Sequence, residues 1–514
     1  MPDLLSNLEQ LVESREAKRP RPPAREGRQK VNQQIQSQGE SITGQAGSFD
    51  ETSLDAFYGE YVPFSSLRLH PSLVQQLSQT GKDTATLIQA LGIPSILTGD
   101  DVIVGAETGS GKTLAYLVPL LDRLLRENER EGEAEASDGS GGNTDRSRMY
   151  PRAVVMVPNR ELCDQVYRWA QELARPLGVT TEMVWGGYES WPFTPAQPAP
   201  DVLICTPLFL GRFTKGGCVK DISLFQSVDT LVVDEADLLL DGGYKKDLEA
   251  VLTVFRRSGR QGAPTQHIMV AATLPNRGSG SVDAFLERRF PEALRVRNSL
   301  MHQHLPGMQQ DFIPIGYDAS TRDRLNMLVD KVTEMQRDRA SRGGEEAVDV
   351  GKTIIFANTV NSAKAVANAL FDVGIPVVPC HADLRAAERI SNLDAFRRGI
   401  SSILVCTDLA ARGLDIPRIA TVIQFDFAPN VVAHLHRVGR AARAGRAGHA
   451  INFYGKDSED LVSMIQESLK VAEERGSDGG LLEQAFSRNR SLRKKLRKQE
   501  RSGQDTAGRA TVPS

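Results

Sequence analysis

Between Asp101 and Leu125 the chain runs from an apolar segment into a small-residue turn and out into an amphipathic stretch. The segment is Asp101-Val102-Ile103-Val104, the turn is Ala106-Glu107-Thr108-Gly109-Ser110-Gly111-Lys112-Thr113, and the stretch is Leu114 to Leu125. Strand, tight turn, helix is half of a parallel crossover, so it commits the surrounding chain to an α/β layer architecture. The remaining pattern agrees. Short β-branched runs at 101–104, 153–157, 202–205, 230–233 and 267–272 alternate with amphipathic segments. A second series, 352–357, 376–380, 402–406, 420–425 and 449–454, repeats the rhythm over a similar length. Two tandem lobes follow, each a parallel sheet flanked by helices. Only the first carries the glycine-rich turn. The corresponding turn of the second, Thr359-Val360-Asn361-Ser362-Ala363-Lys364, has its position without its glycines.

A chain of 514 residues exceeds one core and allows two to four domains. We divide it as follows: a basic disordered tail over 1–55, a first lobe over 56–300, a linker over 301–315, a second lobe over 316–476, and a basic disordered tail over 477–514. Pro306, Gly307 and Pro314 interrupt the pattern at the linker. Three stretches read as inserted surface loops: Glu127 to Arg148, Tyr188 to Pro200 with four prolines, and Arg337 to Gly351. In the last tail, eight Arg and Lys residues from Arg488 to Arg501 face only Glu500. Such a segment neutralises phosphates without reading sequence.

The net charge of −3 announces no global polyanion partner. No apolar run approaches the roughly 20 residues of a membrane span, so no membrane partner is expected. Cys163, Cys205, Cys218, Cys380 and Cys406 are scattered without metal-ligand spacing. That implies buried thiols in a reducing compartment, no structural metal, and a soluble intracellular protein. The N-terminus lacks an apolar signal core, and Asp3, Glu9 and Glu13 depart from acid-poor transit peptides.

The turn at Ala106–Thr113 has the chemistry of a phosphate cradle. Small residues let backbone N–H groups approach an oxyanion, Lys112 supplies fixed positive charge, and the Thr113 hydroxyl reaches Mg²⁺. The strict pattern has Gly where this chain has Ala106. The strand Thr230-Leu231-Val232-Val233 ends in Asp234-Glu235-Ala236-Asp237. One acid of such a pair can hold a metal and the next can orient a water. Together the two stretches describe hydrolysis of a nucleoside triphosphate.

Further blocks occur in order: Pro158-Asn159-Arg160-Glu161-Leu162, Ala271-Ala272-Thr273, Thr407-Asp408-Leu409-Ala410-Ala411-Arg412-Gly413-Leu414-Asp415, and His436-Arg437-Val438-Gly439-Arg440-Ala441-Ala442-Arg443. This series resembles the DEAD-box ATP-dependent RNA helicases of superfamily 2, from about Phe64 to Tyr454. The resemblance implies two RecA-like domains, with ATP and Mg²⁺ as cofactors. It implies that Gln89 bonds the adenine edge, Phe64 stacks on the ring, and Asp415 meets the ribose. Lys112, Asp234, Glu235, Arg440 and Arg443 become the catalytic set, the two arginines acting as fingers from the second lobe. Thr113 and Asp234 become the metal site. Thr273, Asp237 and His436 couple the ATP site to the RNA site. Arg160, Gly186, Gly187, Thr206, Thr359 and Thr407 become contacts to the RNA backbone, where small hydroxyls and bare N–H groups serve without choosing a base.

The chain departs from the family pattern in several places. Ala271 replaces a Ser, Leu208-Phe209 replaces Gly-Arg after Thr206-Pro207, Ala442 replaces a Gly between the fingers, and Ala382 replaces Gly after His381. Arg212 stands near enough in sequence to compensate for the lost Arg. Ala271-Ala272-Thr273-Leu274-Pro275 and Gln484-Ala485-Phe486-Ser487-Arg488-Asn489-Arg490 resemble plant and algal chloroplast members associated with ribosomal RNA. The expectation is therefore an RNA helicase that remodels short ribosomal RNA duplexes alongside ribosome-assembly proteins, in a chloroplast or other organelle. The alternative is an ATP-gated RNA clamp with little unwinding.

Overall fold

The structure is a computed structural model. It describes residues 62–138, 150–186, 192–193, 199–214, 228–241, 244–255, 264–274, 281–297, 307–341, 351–408, 419–441 and 447–475. Both tails expected to be disordered lie outside the described residues.

Two short strands, β1 (Val62–Pro63) and β2 (Thr84–Ala85), pair antiparallel beside the first lobe. The first main sheet contains β3 (Val102–Gly105), β4 (Ala153–Met156), β5 (Thr181–Val184), β6 (Val202–Cys205), β7 (Thr230–Val233), β8 (Gln266–Ala271) and β9 (Leu294–Arg297). Their order is β5-β6-β4-β7-β8-β3-β9, with every pairing parallel. The second contains β10 (Met308–Pro314), β11 (Lys352–Ala357), β12 (Val378–Cys380), β13 (Ile403–Thr407), β14 (Ile419–Gln424) and β15 (Gly448–Tyr454). Its order is β10-β15-β14-β11-β13-β12, again parallel throughout.

Strands covered on both faces should be apolar at every position, and β3, β4, β6 and β7 are buried throughout. Alternate residues feed opposite faces. Val102, Val104 and Val155 enter one core, while Ile103, Val154 and Met156 enter the other. In the second lobe Ile355 and Ala357 face away from Ile354 and Phe356 in the same way.

Three expectations need correction. Glu127 to Arg148 is not all loop, because the helix that begins at Lys112 continues to Asp138. Glu127 pairs with the buried Arg152, and Glu129 meets His70 at 2.8 Å, so tertiary partners hold the acidic turns. The stretch from Arg337 likewise begins inside a helix, Thr321–Ser341. The linker contains β10, an edge strand of the second sheet; Pro314 closes it, as suits a residue without an N–H. Strands β5 and β9 were not foreseen, since β5 is partly exposed and β9 carries two arginines.

Four of the cysteines, Cys163, Cys205, Cys380 and Cys406, are free and buried, and burial pushes the Cys163 and Cys380 thiols up to about 12. Among the described residues, no helix is long and apolar enough to cross a membrane.

Candidate active site between the lobes

In the first sheet β3 and β4 follow one another in sequence but are separated by β7 and β8. A crevice opens at the carboxyl edge where strand order reverses in this way. The glycine-rich turn leaves β3 there, and the acidic segment leaves β7.

Gly109 and Gly111 adopt φ of 87° and 92°, the left-handed region open to glycine. A Cβ at Gly111 would collide with the Gln89 amide. Ala106 is not among the positive-φ residues and is fully buried, its N–H donating to Ala271 O at 3.2 Å. A glycine is therefore not required at that position. Lys112 Nζ donates to the Ala106 and Glu107 carbonyls, both at 2.7 Å, which fixes its charge inside the turn. Thr86 Oγ1 donates to Ser110 O at 2.8 Å, and Gln89 Nε2 to Gly111 O at 3.0 Å. Gln89 Oε1 accepts from Thr86 N, completing a capping box at the helix Leu87–Leu97. Gln89 is thus a strut beneath the loop. Phe64, expected to stack on a base, is 1% exposed and packs within the first-lobe core, so it offers no ring face.

Asp234 Oδ1 accepts from the Glu235 N–H at 2.8 Å, and Oδ2 accepts from the Tyr116 hydroxyl at 2.9 Å. Burial and the neighbouring Glu235 charge raise the Asp234 carboxyl to about 7, against the Lys112 charge and the Tyr116 bond, which lower it. Burial also lifts the Tyr116 phenol well above its ordinary value, so it remains a donor. Sequence reasoning missed Tyr116. The available signal was its place one helical turn beyond Lys112, a polar tip in an otherwise apolar run. Glu235 holds φ of 50°, unusual for a residue with a side chain, and its buried Oε2 has no hydrogen-bond partner.

Asp237 Oδ2 accepts from Thr273 N at 2.8 Å and Thr273 Oγ1 at 2.6 Å, and meets His436 Nε2 at 3.3 Å. Burial pushes this carboxyl up, but the His436 bond and charge and the two Thr273 bonds bring it down to about 2. The proposed coupling residues Asp237, Thr273 and His436 are therefore in one network, although Ala271 carries no hydroxyl. Glu235, Asp237 and His436 place ligand-type atoms within 4.8 Å of one another.

Further contacts cross between the lobes, Arg168 with Asp394 at 3.9 Å among them. Thr108 Oγ1 of the glycine-rich turn donates to Gly439 O at 3.0 Å, and Arg389 Nε donates to Glu161 Oε1 at 2.8 Å. Arg440 is buried, its Nε donating to His436 O at 3.3 Å. Arg437 is a structural member that the sequence did not single out. It is 1% exposed and bridges Asp408, Asn358, Gln424 Oε1 and Asp426 O. Asp415, Arg443 and Gly187 lie outside the described residues, as does Ala442.

The RNA candidates occupy the carboxyl ends of strands. Arg160 follows β4, Gly186 follows β5, and Thr206 follows β6. Thr359 follows β11 and caps the helix Val360–Asp372 by accepting from Ser362 N at 3.1 Å. Thr407 ends β13 and, like Thr206, is buried.

A family model described as DEAD/DEAH box helicase matches residues 86–279, and one described as helicase conserved C-terminal domain matches 339–445. DEAD-box ATP-dependent RNA helicase 22 of Oryza sativa subsp. japonica is 30% identical over 86% of this chain and 85% of its own length. The chain belongs to the DEAD-box ATP-dependent RNA helicases. Escherichia coli ATP-dependent RNA helicase DbpA is 31% identical to this helicase, over 79% of each protein. In fold, the helicase is similar to S. cerevisiae Dbp5 bound to RNA and ADP BeF3, with a TM-score of 0.62 and 23% identity. That match covers 79% of this chain and 93% of the other. DEAD-box helicase Mss116 bound to ssRNA and UDP-BeF gives 0.64 and 22%, covering 81% and 79%. Two parallel sheets flanked by helices are the tandem RecA-like pair of that family.

Proposed function

We propose that this helicase uses ATP hydrolysis to bend and locally separate short ribosomal RNA duplexes during ribosome assembly. The observation that carries the reading is the direct bond from Thr108 of the phosphate loop to Gly439, beside Arg440. Closure of the lobes brings the second lobe's cations to the first lobe's triphosphate site. Phosphoryl transfer needs charge neutralisation more than covalent chemistry, and an arginine finger contributes on the order of 10³–10⁵ in rate.

The residues present fit Mg²⁺–ATP. Two left-handed glycines, a fixed lysine and an unpartnered buried carboxylate oxygen suit a bound polyphosphate and an attacking water. Lys112 and the loop Ala106–Thr113 would take the phosphates. Thr113 and Asp234 would hold Mg²⁺, which supplies charge neutralisation when bound. Glu235 orients the water. Arg440 and Arg443 complete the reactive pocket, and Asp415 meets the ribose. Gln89 keeps one N–H and one lone pair for the adenine edge beyond its loop contacts. Arg160, Gly186, Gly187, Thr206, Thr359 and Thr407 grip the RNA backbone.

The intact Asp237–Thr273–His436 network supports coupled unwinding over a passive clamp. RNA-stimulated ATPase together with strand displacement on a short duplex tests this; nucleotide-dependent RNA binding without displacement would favour the clamp. Ribosomal RNA as target rests on the family resemblance, and sequencing RNA crosslinked to the protein in cells tests it. A chloroplast location rests on the same resemblance, and organelle fractionation checks it.

A further inference from the structure

At the carboxyl ends of β5 and β6 the first lobe presents a surface chemically unlike a phosphate grip. Leu208 stands in the first turn of the helix Pro207–Thr214 with its side chain 52% exposed. It lies across Gly186, where an added Cβ would sit 2.8 Å from Leu208 Cδ2. Next to Gly186, the Trp185 indole is half-buried, and the Arg160 guanidinium lies 4.0 Å from its ring centroid. A guanidinium over an indole is a planar cation that suits a π-face, and the exposed Leu208 stands on Gly186, the residue next to that indole in the chain. Backbone phosphate alone has no use for the leucine.

We propose that Leu208 and the stacked Arg160–Trp185 pair contact a nucleobase of the bound strand, adding a base contact to a backbone grip. The occupant follows from continuity: Arg160, Gly186 and Thr206 end three strands, β4, β5 and β6, that lie together at this edge. The inference rests on the reading that RNA crosses these strand ends. Such stacking is sequence-tolerant, because every base offers a π-face. It therefore strengthens binding without choosing a target.

The test is equilibrium binding of the full chain, with a non-hydrolysable ATP analogue, to a single-stranded RNA and to copies carrying one abasic site at each position in turn. One abasic position should weaken binding by about five- to a hundredfold, the range that loss of one stacked base gives. Leu208→Ser should bind the intact strand less well and distinguish the abasic copy less than wild type does, the Arg160–Trp185 pair still meeting the base. Leu208→Met should restore the discrimination. The salt dependence of affinity should be the same for wild type and Leu208→Ser, since no phosphate contact is removed. Melting curves show whether each variant is folded. Equal binding of intact and abasic strands at every position overturns the base contact alone. Full discrimination by a folded Leu208→Ser overturns it too. A chain that binds no RNA in the presence of nucleotide overturns the RNA reading as well.

Discussion

Glu235 combines burial, a left-handed backbone and an unpartnered carboxylate oxygen. A strained residue of this kind costs on the order of 1–3 kcal/mol and persists where its surroundings over-determine it. Its oxygen is held where a water can be oriented. Glu235→Gln should keep nucleotide and RNA bound while slowing hydrolysis by about 10²–10⁴-fold; single-turnover ATPase at the normal rate would remove Glu235 from this role. Tyr116 acts one step back, through Asp234. Deleting its hydroxyl withdraws a donor from a buried carboxylate, worth about 1.5–3 kcal/mol. Tyr116→Phe should therefore raise the Mg²⁺ concentration needed for half-maximal nucleotide binding by about tenfold, read by titrating the metal against a fluorescent nucleotide. The raised Asp234 carboxyl gives the pH dependence its sign. Its folded value of about 7 lies above the ordinary carboxyl, so its penalty on stability is absent below about pH 4 and grows as pH rises through 7. In the proposed role Asp234 holds Mg²⁺ as the carboxylate, so Mg²⁺–nucleotide affinity should climb toward pH 7 and level above it. Thermal shifts with and without Mg²⁺–ATP across that range would show stabilisation by ligand growing as the ligand-free chain weakens. A ligand shift independent of pH would contradict it.

The glycine-rich turn shows how much of an element can be read before folding. Its existence, its strand and its helix were legible because a short continuous apolar run gives way across Ala106–Thr113 to a helical period of 3.6. Which of its positions demand glycine was not legible, since φ is set by the path the chain must take between β3 and the helix. Gly111 needs its freedom and Ala106 does not. Gly111→Ala should weaken nucleotide binding severely through strain and collision with Gln89, whereas Ala106→Gly should change it little; equal losses in isothermal titration would refute that account. The same logic explains other differences. Phe64 read as a base-stacking ring because spacing alone cannot show which side of an aromatic faces the core. The acidic helical turns after Glu127 read as loop because their support is tertiary, from Arg152 and His70. Tyr116 and Arg437 escaped notice because their partners, Asp234 and Asp408, are distant in sequence.

For the whole molecule, the proposed function depends on closure of the lobes, and the contacts between them lie at more than the phosphate loop. The Thr108–Gly439 and Asp237–His436 contacts lie at the phosphate site, so ATP can bias them. Glu161 and Arg389 are different. Glu161 sits in the first turn of the helix after β4, beside Arg160, and Arg389 lies on the second-lobe helix Ala386–Arg397. Their 2.8 Å ion pair, with Glu161 7% exposed, therefore latches the lobes beside the proposed RNA path. A latch that forms only in the closed state makes nucleotide and RNA affinities depend on each other, and the dependence must be reciprocal. Glu161→Arg and Arg389→Glu should each reduce the factor by which RNA tightens nucleotide binding, by about fivefold or more for a coupling change above 1 kcal/mol. The double exchange restores the opposite pairing and should recover part of that factor. Non-additivity of this kind is the mark of direct contact. If the two single variants and the double all retain the wild-type factor, the pair does not hold the lobes shut, and closure depends on the other contacts between them.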